Sequence, residues 1–177
     1  MTLALVRLDD RYVHGQVVVG WGQALAVQRI LLVDDAVRAA PWEQELYRLG
    51  VPSDVELEFA SVAEADCRVR VLAAAPERVI VLVGDVATLV RVCSGAAAIT
   101  QVNIGGLHSA PGRRERLPYV FLTPDEAESL ARLGRGGIEV TAQDVPSARR
   151  VNRHLVYLSR APAMMALARS RMGWVLR

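Results

Sequence analysis

The stretch Leu3–Trp21, LALVRLDDRYVHGQVVVGW, decides the fold. It opens on a short apolar run, expected as a strand over Ala4–Leu8, and closes on an apolar, small-residue run, expected as a helix over Gly15–Ala26. Between them lies a brief polar loop. A strand that hands directly to a helix in this way is the first half of a β-α-β unit.

The same alternation recurs downstream. Strands are expected at Arg29–Val33, Glu56–Ala60, Arg78–Val83, Gln101–Ile104 and Ile138–Ala142, with a weaker one between Leu117 and Leu122. Helices are expected at Pro41–Leu49, Val62–Ala75, Val86–Ser94 and Pro124–Leu133. The last carries its own punctuation: Thr123 as N-cap, Pro124 in the first turn, Glu126 at capping-box distance and Gly134 to close it. The segments Val51–Asp54 and Ser109–Arg113 read as turns. The expected class is α/β, an open, mostly parallel twisted sheet of about six or seven strands with helices on both faces. Neither an internal repeat nor a low-complexity linker interrupts residues 1–148, which are expected to form one domain. Residues 149–177 are expected as a basic, partly apolar C-terminal extension.

Composition excludes several chemistries. All 21 basic residues are arginine, so no mechanism that needs a lysine amine is open, whether a Schiff base or a phosphate-loop lysine. Residues 1–144 carry 14 arginines against all 19 acids, and residues 145–177 carry 7 arginines and no acid. Cys67 and Cys93 lack paired metal-site spacing, and no metal or cofactor is expected. No run approaches the roughly 20 apolar residues of a membrane span, and acidic residues come too early for a signal peptide, so the cytoplasm is the expected compartment. Few aromatics and no recognition module are present, and no nucleic-acid partner is expected.

The loop Leu8-Asp9-Asp10-Arg11-Tyr12-Val13-His14-Gly15-Gln16 carries the chemistry. In an open α/β sheet such a loop stands at the carboxyl edge of the strands, where ligands bind. An imidazole, with an ordinary pKa of about 6.5, keeps a free lone pair at neutral pH and can attack phosphorus. Arg11 and the amides of Gly15 and Gln16 have the chemistry to hold phosphate oxygens. Asp10 is the candidate to orient the His14 ring, and Asp9 competes for that role. Other residues are expected along the crevice edge: Asp34 and Asp35 after the second strand, Gly84 after the fourth, and Asn103, Gly105 and His108 at the fifth. Asp34–Asp35 invite a dinucleotide-fold or a receiver reading. Gly15, Gly20 and Gly22 do not form a G-x-G-x-x-G turn, and a receiver needs a lysine, which weighs against both and leaves a nucleotide-binding enzyme as a remote third reading. His108 and His154 are not spaced from His14 as a local metal motif.

The order of residues in LVRLDDRYVHGQV resembles ARIDDRLIHGQV, the N-terminal signature of mannose/fructose/sorbose-class IIB subunits of bacterial phosphotransferase systems. The resemblance continues through RILLVDDAV, GVPSDVELEFASV, ERVIVLV, VNIGGLHSAPGRR and TPDEAESLARLGRGGIEV, over roughly residues 1–145. It implies a sugar-specific protein-Npi-phosphohistidine–sugar phosphotransferase. His14 would take phosphate on Nδ1 from a phosphorylated IIA protein and pass it to a sugar held by membrane IIC/IID components, at the inner face of the membrane. A homodimer is a further expectation from the family and the apolar tail. The chain departs from the pattern at Val19 and Gly20, at Leu107-His108, at Val83-Gly84-Asp85 and in the tail Arg149–Arg177. Those departures keep a second reading open: a regulatory module phosphorylated on His14 without sugar transport.

Overall fold

The computed structural model describes residues 3–152. Its strands are β1 Leu3–Asp9, β2 Arg29–Val33, β3 Glu56–Ala60, β4 Val79–Val83, β5 Gln101–Gly106, β6 Arg114–Leu117, β7 Val120–Leu122, β8 Glu139–Ala142 and β9 Val151–Asn152. Seven of them form the main sheet, in the order β3-β2-β4-β1-β5-β8-β9. All neighbouring pairs whose register is defined in it are parallel except β8 with β9, so the expected open, mostly parallel sheet is what forms. The strand β4, Val-Ile-Val-Leu-Val, is buried at every position, as a central parallel strand covered on both faces must be.

The helices are α1 Gly22–Ala24, which continues a π-helical segment at Gln16–Trp21, then α2 Asp35–Arg38, α3 Pro41–Leu49, α4 Val62–Ala74, α5 Val86–Gly95 and α6 Pro124–Arg135. Two apolar cores show how they divide. Val6 and Leu8 of β1 pack with Ala65, Val69 and Leu72 of α4, Leu89 and Val92 of α5, and Leu130 of α6. On the opposite face, Val17, Val18 and Trp21 pack with Ile30, Ile80 and Leu82, with Leu5 and Tyr47 alongside. Burying each Val, Ile or Leu contributes about 1.5–3 kcal/mol, so these two layers hold the sheet between them. The segment after β1 therefore leaves toward one face while the helices after β4 and β5 cover the other. The carboxyl end of β1 lies between β4 and β5, at a switch point of the sheet.

Several local outcomes differ from expectation. The weak strand at 117–122 is a hairpin, β6 against β7, turned at Pro118-Tyr119. The last helix has both halves of its capping box at Thr123 and Glu126 but runs to Arg135, with Gly136 and not Gly134 as its C-cap. The short α2 was not foreseen; it is capped by the Asp34 side chain. A boundary at residue 148 cuts the sheet, because Val151–Asn152 returns as β9 beside β8. The remainder of the expected C-terminal extension, from residue 153, lies outside the described residues, as does His154. Cys93 sits in the core, where burial pushes its thiol up to about 12, and Cys67 is exposed on α4.

Candidate functional site

Side chains alternate across a strand, so Arg7 and Asp9 share the face of Leu5 and point away from the Val6–Leu8 core. Both are fully buried. A buried guanidinium is tolerated only with partners, and Arg7 has four. Its Nη1 donates to Asn103 Oδ1 at 2.7 Å and the Gln143 carbonyl at 3.0 Å. Its Nη2 donates to Asp9 Oδ2 at 2.9 Å and the Asp144 carbonyl at 3.0 Å. The Trp21 ring lies 5.6 Å from its centre. The guanidinium also explains Gly105. The register runs Leu8↔Ile104 but Asp9↔Gly106, making Gly105 the extra residue of a bulge, and a Cβ there would stand 1.8 Å from Arg7 Cζ.

On this base the loop assembles. Asp9 Oδ2 lies 3.1 Å from His14 Nε2, while Asp9 Oδ1 accepts from Arg11 Nε at 3.2 Å and from the Arg11 backbone N–H at 3.3 Å. Burial alone would raise the Asp9 pKa, but the His14 hydrogen bond, the Arg7 charge and the Arg11 hydrogen bond together bring it down to about 2. Arg11 then reaches along the loop to Gln16, with Nη2 2.7 Å from Oε1, and lies 3.8 Å from Asp144. The His14 carbonyl accepts from both Val17 and Val18, at 2.9 and 3.0 Å, which ties the histidine to the start of the π-helical segment Gln16–Trp21. His14 is partly exposed, and its Nδ1 is the ring nitrogen not facing Asp9.

The orienting contact therefore belongs to Asp9, and Asp10 does not make it. Asp9 is the last residue of β1 and keeps the inward face, whereas Asp10, one step on, turns toward the β5 loop. There it accepts from the His108 backbone at 2.7 Å and meets His108 Nδ1 at 2.7 Å. Asp34 and Asp35 each hold the start of a helix. Asp34 caps α2 at the Val37 N–H and Asp35 caps α4 at the Val62 N–H, each at 2.8 Å. Asp34 also accepts from the Tyr12 hydroxyl at 2.6 Å, and burial followed by that carboxylate raises the Tyr12 pKa. Tyr12 has a positive φ of 52° and lies against Gly84, where a Cβ would be 2.4 Å from its hydroxyl oxygen. The Val83-Gly84-Asp85 departure thus has a structural reason: Gly84 admits Tyr12, and Asp85 caps α5 at Thr88. Asn103 accepts from Arg7, Gly105 lies against the same guanidinium, and Gly84 lies against the Tyr12 ring.

Arg7, Tyr12 and Asp144 were missed by sequence reading. The signal for Arg7 was present, a lone cation inside the buried run Leu-Ala-Leu-Val-Arg-Leu; Asp144 had none. Among the described residues no cluster of His, Cys, Asp or Glu could hold a metal ion, and no helix is long and apolar enough to cross a membrane.

The depressed Asp9 carboxyl makes an acid-stability prediction. The unfolded carboxyl, near 3.8, binds protons more readily than the folded one near 2, so the stabilisation is complete above pH 3.8 and disappears as pH falls through 2. The expected contribution is about 2 kcal/mol. Thermal melts from pH 5 to 2 should fall more steeply for wild type than for Asp9→Asn; parallel curves would contradict it.

An open switch-point sheet with a carboxylate-held histidine on its first loop defines a class of α/β protein that carries an imidazole at the ends of its strands. Within that class, the chain belongs to the family described as PTS system sorbose subfamily IIB component, whose model matches residues 3–165. It is 30% identical over 145 residues to the mannose-specific EIIAB component of Escherichia coli K12, covering 82% of this chain and 45% of that protein. The chain thus spans about half the length of that relative. It is 29% identical to the sorbose-specific EIIB component of Klebsiella pneumoniae, covering 86% of this chain and 93% of the relative. Among solved structures, manxB from Thermoanaerobacter tengcongensis superposes with a TM-score of 0.81 at 27% identity, over 90% of this chain and 97% of that one. The IIBSor domain of the Klebsiella pneumoniae sorbose permease gives 0.78 at 26% identity, over 86% and 93%.

Proposed function

We propose that this chain is the sugar-specific IIB component of a cytoplasmic phosphotransferase system, with His14 as the transient phosphate carrier. The observation that carries the reading is the Asp9–His14 pair. With Nε2 held by a fully buried carboxylate, the proton belongs on Nε2 and the lone pair on Nδ1. In the first step Nδ1 attacks the phosphorus of a phosphohistidine on IIA. The donor P–N bond breaks, a new one forms at His14, and the positive charge that develops on the ring is met by Asp9. Arg11 neutralises the equatorial oxygens, and the Gly15 and Gln16 amides add donors at the helix start. In the second step a sugar hydroxyl, presented by IIC/IID at the inner face of the membrane, takes the phosphoryl group and frees His14. Family membership supports both steps. The enzyme class is that of a protein-phosphohistidine–sugar phosphotransferase, and the scheme uses no metal.

The test is incubation with a phosphorylated IIA protein. Wild type should gain one acid-labile phosphate, located on His14 by peptide mass spectrometry. No gain from any IIA donor of the mannose class would overturn the reading. Within it, Arg11→Lys should slow phosphate uptake by roughly tenfold or more, because a point charge cannot hold Asp9, Gln16 and a phosphate oxygen at once. Rapid-quench rates within a factor of two of wild type would remove Arg11 from the role.

A further inference from the structure

Asp9 and Asp10 are consecutive, and each holds an imidazole. Asp9 holds His14 through Nε2, and Asp10 holds His108 through Nδ1 at 2.7 Å. The His108 backbone is fastened as well: its N–H donates to Asp10 Oδ2 at 2.7 Å, and its carbonyl accepts from Arg113 Nη1 at 3.0 Å. Arg113 lies 3.8 Å from Asp10 and is itself gripped by Glu126 at 2.7 Å. The backbone contacts alone would staple this loop. The ring contact adds something else, because a carboxylate on Nδ1 fixes that nitrogen as the protonated one and leaves the Nε2 lone pair open. The His108 side chain is 66% exposed, so an open nitrogen on it is available to a docked molecule.

The two pairs are close in space. Gly106 stands opposite Asp9 in register, and a Cβ on it would lie 3.3 Å from Asp9 Oδ1 and 3.2 Å from Arg11 Nη2. His108 follows two residues later, a reach of roughly 7 Å. A sugar whose hydroxyl approaches a phosphoryl group on His14 therefore has His108 as a neighbour on the β5 side.

Resting on the reading that His14 passes its phosphate to a sugar, we infer that His108 takes the proton of the attacking hydroxyl. The O–H bond breaks toward His108 Nε2 as the O–P bond forms. The P–Nδ1 bond of phospho-His14 breaks, and its electron pair returns to that imidazole. His108 becomes an imidazolium held by Asp10 and then loses its proton to water. The arrangement is that of a carboxylate-oriented general base. A phosphoryl transition state is loose and develops little charge on the nucleophile, so the expected contribution is about 10–100-fold. Phosphate uptake from IIA differs in one respect: His14 Nδ1 attacks without a proton to lose. The contribution should therefore fall on the second half-reaction.

The experiment charges wild type, His108→Gln and His108→Ala from phospho-IIA. It then follows loss of the label to mannose, fructose, sorbose and N-acetylgalactosamine in membranes carrying the cognate IIC and IID. Expected is a 10–100-fold slower onward transfer for both variants, with uptake from IIA measured on each as its reference, and partial recovery of His108→Ala by added imidazole. Onward transfer at the wild-type rate overturns the inference. So does an equal fall in both half-reactions without imidazole recovery, which would make His108 a loop staple only. A wild type that takes no phosphate, or hands none to any of these sugars, instead overturns the proposed function and this inference with it.

Discussion

A His14→Ala variant is expected to take no phosphate from phospho-IIA while remaining folded. The loss should be complete because His14 is the ring that the strand-to-helix loop sets on the buried Arg7–Asp9 base to meet the IIA phosphohistidine, whereas His108 stands on the β5 side, held by Asp10. Folding should survive because Asp9 keeps both Arg7 and Arg11 when the imidazole is gone. The expected change in stability is about 1 kcal/mol, the net worth of one hydrogen bond. Intact mass with an acid-lability control reads the first outcome, and a thermal melt reads the second. Acid-labile phosphate on the variant at the wild-type level would sink the central claim, and a collapsed melt would mean that the ring is structural.

The second large effect lies one layer down. Gly105→Ala places a methyl group 1.8 Å from Arg7 Cζ and 2.0 Å from Nη2, in a region where Arg7 has no exposed surface to retreat to. Either the β5 bulge must open or the guanidinium must leave Asp9, Asn103 and the two carbonyls. Each route strands buried polar groups, and the expected cost is about 3–5 kcal/mol. For a chain of this length that corresponds to a melting temperature lower by roughly 10 °C or more. The double variant Arg7→Met/Gly105→Ala should melt higher than Gly105→Ala alone, since a flexible thioether can share the space. A single variant that melts within two or three degrees of wild type would refute the steric account.

The sheet was legible in the sequence because β2 and β4 hold the apolar runs Ile-Leu-Leu-Val and Val-Ile-Val-Leu-Val, which need no long-range information to identify. The bounds of β2, β3 and α3 follow the residues expected for them. His14 was legible through its place between a strand and a helix and through the order of the residues around it. The choice between Asp9 and Asp10 was not, and the reason is one of parity. Ending the strand at Leu8 leaves both acids in the loop with no preferred direction. Ending it at Asp9 puts that residue on the Arg7 face and fixes the assignment. The bonds from Arg7 to Asn103 and Asp144 were beyond reach for another reason, since they span about 100 residues or more and depend on β5 lying in register beside β1 and β8 beside β5. At Asp34 and Asp35 the strand-end position did not reveal a second use, since a carboxylate there also accepts from helix-start amides.

The buried Arg7–Asp9 pair also sets a tempo. The groups that hold His14 belong to strand residues and not to a hinge, so the receiving side of the site has little to order when a partner arrives. A carrier that must meet a donor and then an acceptor gains from this. Each encounter can go forward as the docking of a finished surface, with little conformational entropy to surrender at either visit. Turnover would then be set by how often the partners collide and separate, and not by the closing and opening of a lid.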